Sequence, residues 1–300
     1  MTPGDLDACS SAHDVVHASL ASAVTRLFEH VPIARGDDPE GVHQCRVALR
    51  RLRSDLATFR TVLDETWAAD LRTRAKPLAD ALGVVRDDDV HLALVRSMTL
   101  SSPVGADPVR TMLRHDRDRH RRSLLALLDS PFTAALFDTL RAIVEQPTAP
   151  PTKVGDAAAA PAAEVLTPLV RKRWKRLRRE IDAFGDTPSD AELHRVRLAA
   201  KRCRYAATTV VTVHGKPAKR FATRLATLQD TLGSLNDTAV LATRLRAQTD
   251  GLDPADALAM GEVLGRLGAM ADAARGRWRD DWQRASRKSL RRWMRPASLA

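Results

Sequence analysis

An all-α fold built as two similar helical bundles, related by a pseudo-twofold axis, is what this 300-residue sequence predicts, on three observations. Apolar residues recur at the 3.6-residue period of a helix almost throughout, and no segment alternates like a strand flanked by hairpin turns. Aromatic residues make up 4% of a chain that is 44% hydrophobic, so the core must rest on Leu, Val and Ala. That composition suits helices rather than sandwiches or barrels. Finally, two long segments of the first half recur in the second half, in the same order.

The periodicity places helices in the first half at roughly 11–31, 40–64, 67–99, 105–129 and 131–145. A Pro- and Ala-rich stretch, EQPTAPPTKVGDAAAAPAA, then interrupts the pattern. Helices resume at roughly 162–184, 190–213, 216–249 and 254–294. The division expected from this is a first repeat over 1–145, a linker over 146–162 and a second repeat over 163–300.

The second helix of each half carries the clearest repeat. VHQCRVALRRLRSDLATF, from Val42, recurs as LHRVRLAAKRCRYAATTV, from Leu193. His43 falls on His194, Arg46 on Arg197, Arg50 on Lys201, Arg51 on Arg202 and Arg53 on Arg204. In the next helix, LADALGVVRDDDV meets LQDTLGSLNDTAV, so that Asp80, Gly83 and Asp87 match Asp230, Gly233 and Asp237. The glycine is expected to let a neighbouring helix approach, and the aspartates to hold some of the arginines. In the fourth helix Arg110, Arg114, Arg117 and Arg121 follow i, i+4, i+7, i+11, and His120 interrupts an apolar line. The segment 131–145 has no counterpart in the second half. Two further basic segments, LVRKRWKRLRREI and RGRWRDDWQRASRKSLRRW, do not reveal which way their charged faces point.

On a helical wheel the repeated segment separates into two stripes. Val42, Cys45, Leu49, Leu52, Leu56 and Phe59 form one apolar seam, repeated by Leu193, Val196, Ala200, Cys203, Ala207 and Val210. His43, Arg46, Arg50 and Arg53 each follow a seam residue by one position, about 100° around the helix. A solvated face normally interleaves both signs for i,i+4 pairing. Here cations run nearly unbroken beside the core in both copies, and four aspartates are too few to neutralise them. An external anion is therefore wanted, and two such stripes facing one another would make a long positive groove.

Charge is placed unevenly in the same sense. Residues 1–150 hold 19 Lys and Arg against 21 Asp and Glu, and residues 151–300 hold 29 against 16, so the net charge of +11 falls in the second half. Such a balance attracts polyanions. Three cysteines are too few for a disulfide framework, and Cys45 and Cys203 sit on the seam as small core residues, which fits a reducing compartment. The N-terminus lacks a signal-peptide pattern, and no run approaches the ~18 apolar residues of a membrane span, so a cytoplasmic protein without membrane contact is expected.

These residues are similar to the conserved histidine α-helical domain family, CHAD. HQCRVALRRLRSDL and HRVRLAAKRCRY carry the resemblance, supported by LGVVRDDDV and LGSLND, and with both repeats it covers essentially the whole chain. The resemblance implies two four-helix bundles around a basic groove that binds inorganic polyphosphate. CHAD domains often accompany a CYTH triphosphate-tunnel domain, whose alternating Glu-x-Glu-x-Lys strand is absent here, so a stand-alone form is expected. Asn236 departs from the pattern by replacing the arginine found at Arg86.

Other chemistries fit less well. A phosphotransfer histidine would not be crowded by arginines, and the Glu40-x-x-His43 spacing of a di-iron bundle is lost in the second copy. No P-loop, paired carboxylates or Cys/His pair marks an enzyme. The alternative with most weight is sequence-independent nucleic-acid binding, which would want aromatic side chains for stacking beside the cations. None interleaves the stripes.

The expected function is thus non-enzymatic, needs no cofactor or metal, and consists of polyphosphate binding through His43, Arg46, Arg50, Arg51, Arg53, His194, Arg197, Lys201, Arg202 and Arg204, with Arg117 and Arg121 adding to the field. The two histidines should stay protonated beside a bound polyanion. Expected partners are polyphosphate and a polyphosphate-metabolising enzyme, at polyphosphate granules in the cytoplasm, with nucleic acid only a non-specific competitor.

Overall fold

The structure, a computed structural model, describes residues 6–7, 9–100, 107–146, 151, 156–248 and 252–295. The first half folds as α1 (Ala12–Arg35), α2 (Pro39–Thr58), α3 (Glu65–Arg74), α4 (Lys76–Arg96), α5 (Asp107–Leu128) and α6 (Pro131–Glu145). The second folds as α7 (Ala162–Asp182), α8 (Asp190–Thr209), the short α9 (Val211–His214), α10 (Lys216–Arg246), α11 (Pro254–Ala285) and a closing 3₁₀ helix (Lys288–Met294). Among the described residues the only extended pairing is one isolated bridge, Ser11 to Pro161. The chain is all-α, as expected. Residues 147–150 and 152–155 of the expected linker, and the expected helix ends at 105–106 and 249, lie outside the described residues.

Local chemistry sets the helix starts. Ser11, Asp38, Asp64, Ser130, Ser189 and Asp253 each accept a hydrogen bond from a first-turn N–H, and Ser189 with Glu192 completes a capping box. Four expected helices break where the periodicity gave no warning. The expected helix 40–64 ends at Thr58, where the Phe59 N–H closes α2 on the Asp55 carbonyl. The expected helix 67–99 divides at Ala75, whose N–H closes α3 on the Leu71 carbonyl. Pro77 then sits in the first turn of α4, where its missing N–H costs nothing. Its counterpart at the repeat offset is Thr227, and α10 runs unbroken for 31 residues. The expected helix 190–213 ends at Thr209, and Gly215 at φ 58° turns the chain into α10, a conformation glycine adopts without cost. The expected helix 254–294 stops at Ala285, before the 3₁₀ turn.

Both apolar seams are buried as read: the six residues of α2 are at most 1% exposed and the six of α8 at most 2%. Gly41 brings α1 and α2 together, since a Cβ there would lie 2.5 Å from the Ala34 backbone nitrogen. The linker divides the sequence but not the core. One apolar cluster runs through α1, α2, α7 and α8, and a second joins the far ends of α4 and α5 to those of α10 and α11. Helices at matching positions in the two halves touch: α1 with α7, α2 with α8, and α4 with α10. The approach to α7 is tied to the start of α1, with the Ala12 and His13 N–H groups donating to the Ala160 and Ala158 carbonyls, each at 2.9 Å.

Candidate functional site

Because α2 packs on α8, the cationic flanks of both helices meet in one field. Arg50 and Lys201 show its strength. Burial, and then the charges of Arg50, Arg197, Arg46 and Arg204, push the Lys201 ammonium down to about 6. Arg50 is lowered as well, by burial first and then by Arg46, Arg197 and Arg204. The Nε atoms of Arg50, Arg53, Arg197 and Arg204 are buried without a hydrogen-bond partner. Burying unpaired charge is costly, so this constellation works against the stability of the empty protein.

At the C-terminal ends of α2 and α8 the field opens into a cleft of about 490 Å3. Arg50 and Arg53 reach it from α2, Lys201 and Arg202 from α8, and Lys172 and Arg173 from α7. Arg60 and Arg72 complete a lining that, among the described residues, holds eight basic side chains and no carboxylate. Ser54, Thr58 and Thr61 add hydroxyl groups. Burial, followed by the charge of Arg202, also lowers Arg173. The one aromatic residue in the wall, Tyr205, is 4% exposed and lies under the Arg204 guanidinium, 4.8 Å from the ring centre.

Not every expected site residue joins this cleft. Arg46 lies one helical turn before Arg50, and Asp87 holds it at 2.7 Å. Arg51 turns inward instead, donating to Ser19 Oγ at 3.1 Å and approaching the fully buried Asp55 at 3.8 Å. The residue of α8 that matches Asp55 is Ala206, so Arg202 has no such acid and lines the cleft. Burial raises the Asp55 carboxyl to about 6, against the pull of Arg51, Ser19 and Thr209. Arg117 and Arg121 belong to a separate structural cluster. Arg117 pairs with Asp89 at 2.6 Å and Asp37 at 2.7 Å, while Arg121 donates to the Ala34 and Arg35 carbonyls that end α1. Their charge is consumed inside the fold.

The histidines also lie outside the cleft. Each sits seven residues before the first basic residue that lines the cleft from its helix, Arg50 or Lys201, roughly 10 Å along the axis. Burial, then Arg86, lowers His43 from the usual imidazole range, so in the empty protein it is the neutral form that is favoured. His194 is exposed, its Nδ1 2.7 Å from Asn236 Oδ1, and it borders a mostly apolar cavity of about 480 Å3. The departure at Asn236 thus gives His194 a neutral amide where His43 faces a cation.

The conserved-spacing aspartates act differently from expectation in three of four cases. Only Asp87 holds an arginine of the stripe; Asp80 pairs with Lys76 at 2.6 Å, and Asp237 accepts from Asn236 at 3.2 Å. Asp230 is raised by burial and opposed by Arg204, without a bond to it. A Cβ at Gly83 or Gly233 would meet only Arg46 Nε or Arg197 Nε, each at 3.9 Å. At that ordinary contact distance neither glycine is required for a helix to approach, contrary to expectation, and the two halves repeat the arrangement. Asp87, Asp88 and Asp89 all serve in ion pairs, with Arg46, with Arg244 and His120, and with Arg117.

Arg60 and Arg72 went unread in the sequence, and Lys172 and Arg173 lie in the basic segment LVRKRWKRLRREI whose face it left undecided. On α7, which buries Val170, Trp174 and Leu177, Arg173 precedes a seam residue and Lys172 lies away from the seam, so neither follows the one-after-the-seam rule of the α2 stripe. Arg60 and Arg72 come from a turn and from α3, and only tertiary packing brings them in.

The CHAD domain profile matches residues 18–246. The chain belongs to the CHAD family. Uncharacterized proteins of Mycobacterium tuberculosis, Rv2226 and MT2285, are similar to this CHAD chain at 31% and 30% identity over 245 residues, 78% of the chain. That match covers 47% of each relative, so the chain spans about half the length of the curated relatives it matches. Among solved structures, the CHAD domain of the plant Ricinus communis aligns with a TM-score of 0.73 at 27% identity, covering 93% of either chain. PptA from Streptomyces chartreusis aligns with a TM-score of 0.74 at 22% identity, covering 91% of this chain and 99% of its own, a likeness of fold.

Proposed function

We propose that this CHAD domain binds inorganic polyphosphate, non-covalently, in the cleft between α2, α7 and α8. One observation carries the reading: eight basic side chains line the cleft, and no carboxylate does. A phosphate chain offers only oxygens, which forked guanidiniums match in bidentate, charge-assisted pairs. It would supply the partners that the buried Nε atoms of Arg50 and Arg53 lack. Membership of the CHAD family supports the same ligand class.

Against sequence-independent nucleic-acid binding stands the wall of the cleft. Base stacking needs an exposed aromatic face, and Tyr205 is buried with its ring covered by Arg204. The lining also offers no carboxylate to hold a metal or act as a general base, which favours binding over catalysis. The proposal extends to a place at polyphosphate granules in the cytoplasm, with a polyphosphate-metabolising enzyme as partner. Among the described residues no single helix is long and apolar enough to cross a membrane.

Charge reversal tests the cleft. Arg50→Glu with Lys201→Glu should abolish polyphosphate binding while circular dichroism and melting show an intact fold, because the new carboxylates pair with Arg53, Arg197 and Arg202. Unchanged affinity in the folded double variant would remove the cleft from the account.

A further inference from the structure

The two basic segments whose faces the sequence left undecided converge on one place. Arg171, Lys175 and Arg178 of α7, spaced i, i+4, i+7, form a single ridge. Opposite them stand Lys288, Arg291 and Arg295 of the closing 3₁₀ turn and its C-cap. Together they line a cavity of about 310 Å3 with no carboxylate in its wall. Trp174 is the aromatic residue of the wall, backed by Trp282, stacked on it with ring centres 5.1 Å apart, and by Phe221, met edge-on at 5.6 Å.

Arg291 is set in position rather than left to solvent. Its guanidinium lies 4.5 Å from the Trp174 ring centre, and Nη2 donates to the Ser286 carbonyl at 2.8 Å. Its Nε is buried without a partner. Arg171 donates to the Met294 carbonyl, which fixes the 3₁₀ turn against α7. Among the described residues, only Arg178 of these cations has a carboxylate, in an exposed pair with Asp182 at 3.0 Å on its own helix. Burial, and then the charge of Arg178, lowers Arg291, so the cavity already strains to hold its cations.

The same helix serves the first cleft. Lys172 lies in that cleft and Lys175 in this cavity, and residues three apart on a helix are surface neighbours, roughly 5–6 Å between Cβ atoms. We infer that the α7–3₁₀ cavity is a second phosphate-chain site, and that a long polyphosphate leaving the cleft past Lys172 continues over α7 into it. This rests on the polyphosphate reading of the cleft. Chains long enough to span both sites gain the second set of contacts as an intramolecular step, whereas short chains fill the sites separately.

Titration calorimetry with tripolyphosphate, near physiological ionic strength, reads the site count. The wild-type chain should bind two molecules, and Lys175→Glu with Arg178→Glu should bind one, at unchanged cleft affinity. Both substituted residues are exposed, so the fold should hold. For long-chain polyphosphate the same variant should lose at least about tenfold in affinity. One tripolyphosphate on the wild type that vanishes with Arg50→Glu and Lys201→Glu, or long-chain binding indifferent to Lys175→Glu and Arg178→Glu, overturns the second site. A single site that survives the cleft variant and vanishes in the α7 variant overturns the cleft reading and leaves the α7 site standing.

Discussion

Binding of polyphosphate should draw protons from solution, and Lys201 sets how many. With its ammonium pushed down to about 6, Lys201 is about 9% protonated at pH 7 in the empty cleft. Burial, and then four arginines, hold the ammonium down; a phosphate chain beside it sets a field of the opposite sign against theirs, and its pKa returns toward the ordinary lysine range. The uptake is then about 0.9 proton per site at pH 7, and only about 0.1 at pH 5, where the amine is already charged. His43, lowered in the same field, contributes a further share, so a single wild-type number is not enough. The assay is titration calorimetry in buffers of different ionisation enthalpy, comparing wild type with Lys201→Met. The variant should take up about 0.9 proton less at pH 7, and the wild-type affinity should weaken as pH rises from about 6 to 8, since the protonated amine is the binding form. Equal uptake by both proteins would refute the argument that burial, with the arginines around it, discharges Lys201.

Two further outcomes follow from packing. Gly41→Ala should destabilise the fold by about 1–3 kcal/mol in denaturant titrations, because its methyl meets the α1 backbone at 2.5 Å. Gly83→Ala should instead add up to about 1 kcal/mol, since only Arg46 Nε lies near, at 3.9 Å; destabilisation there would mean that a closer approach is required. Arg117→Gln should cost about 3 kcal/mol or more in the same experiment by leaving the buried Asp89 without its partner. Its polyphosphate affinity should stay within about twofold of wild type, and a larger loss would return Arg117 to the binding site.

What could be read in advance followed periodicity. The seams from Val42 to Phe59 and from Leu193 to Val210 are buried because side chains at 3.6-residue spacing share one face, whatever the remainder of the chain does. The flank one residue further round was equally legible, and Arg50, Arg53, Lys201 and Arg202 do line the cleft. Periodicity does not say which acid a cation meets. Arg51 and Arg202 share a position in the repeat, yet Asp55 captures the first and Ala206 frees the second. Arg117 and Arg121 are spent on Asp37, Asp89 and the end of α1, partners remote in sequence. For the same reason Arg60 and Arg72 were invisible, and the histidines that open each stripe lie about two turns before the first cations that line the cleft.

The most direct test is a titration of the purified protein with long-chain polyphosphate, single-stranded DNA and duplex DNA at matched charge and at two salt concentrations. All three should weaken as salt rises, through counterion release. The account requires polyphosphate to bind orders of magnitude more tightly than either DNA at the higher salt. Three ligands that bind alike and fade together would contradict it, and would reduce the cleft to a generic basic surface.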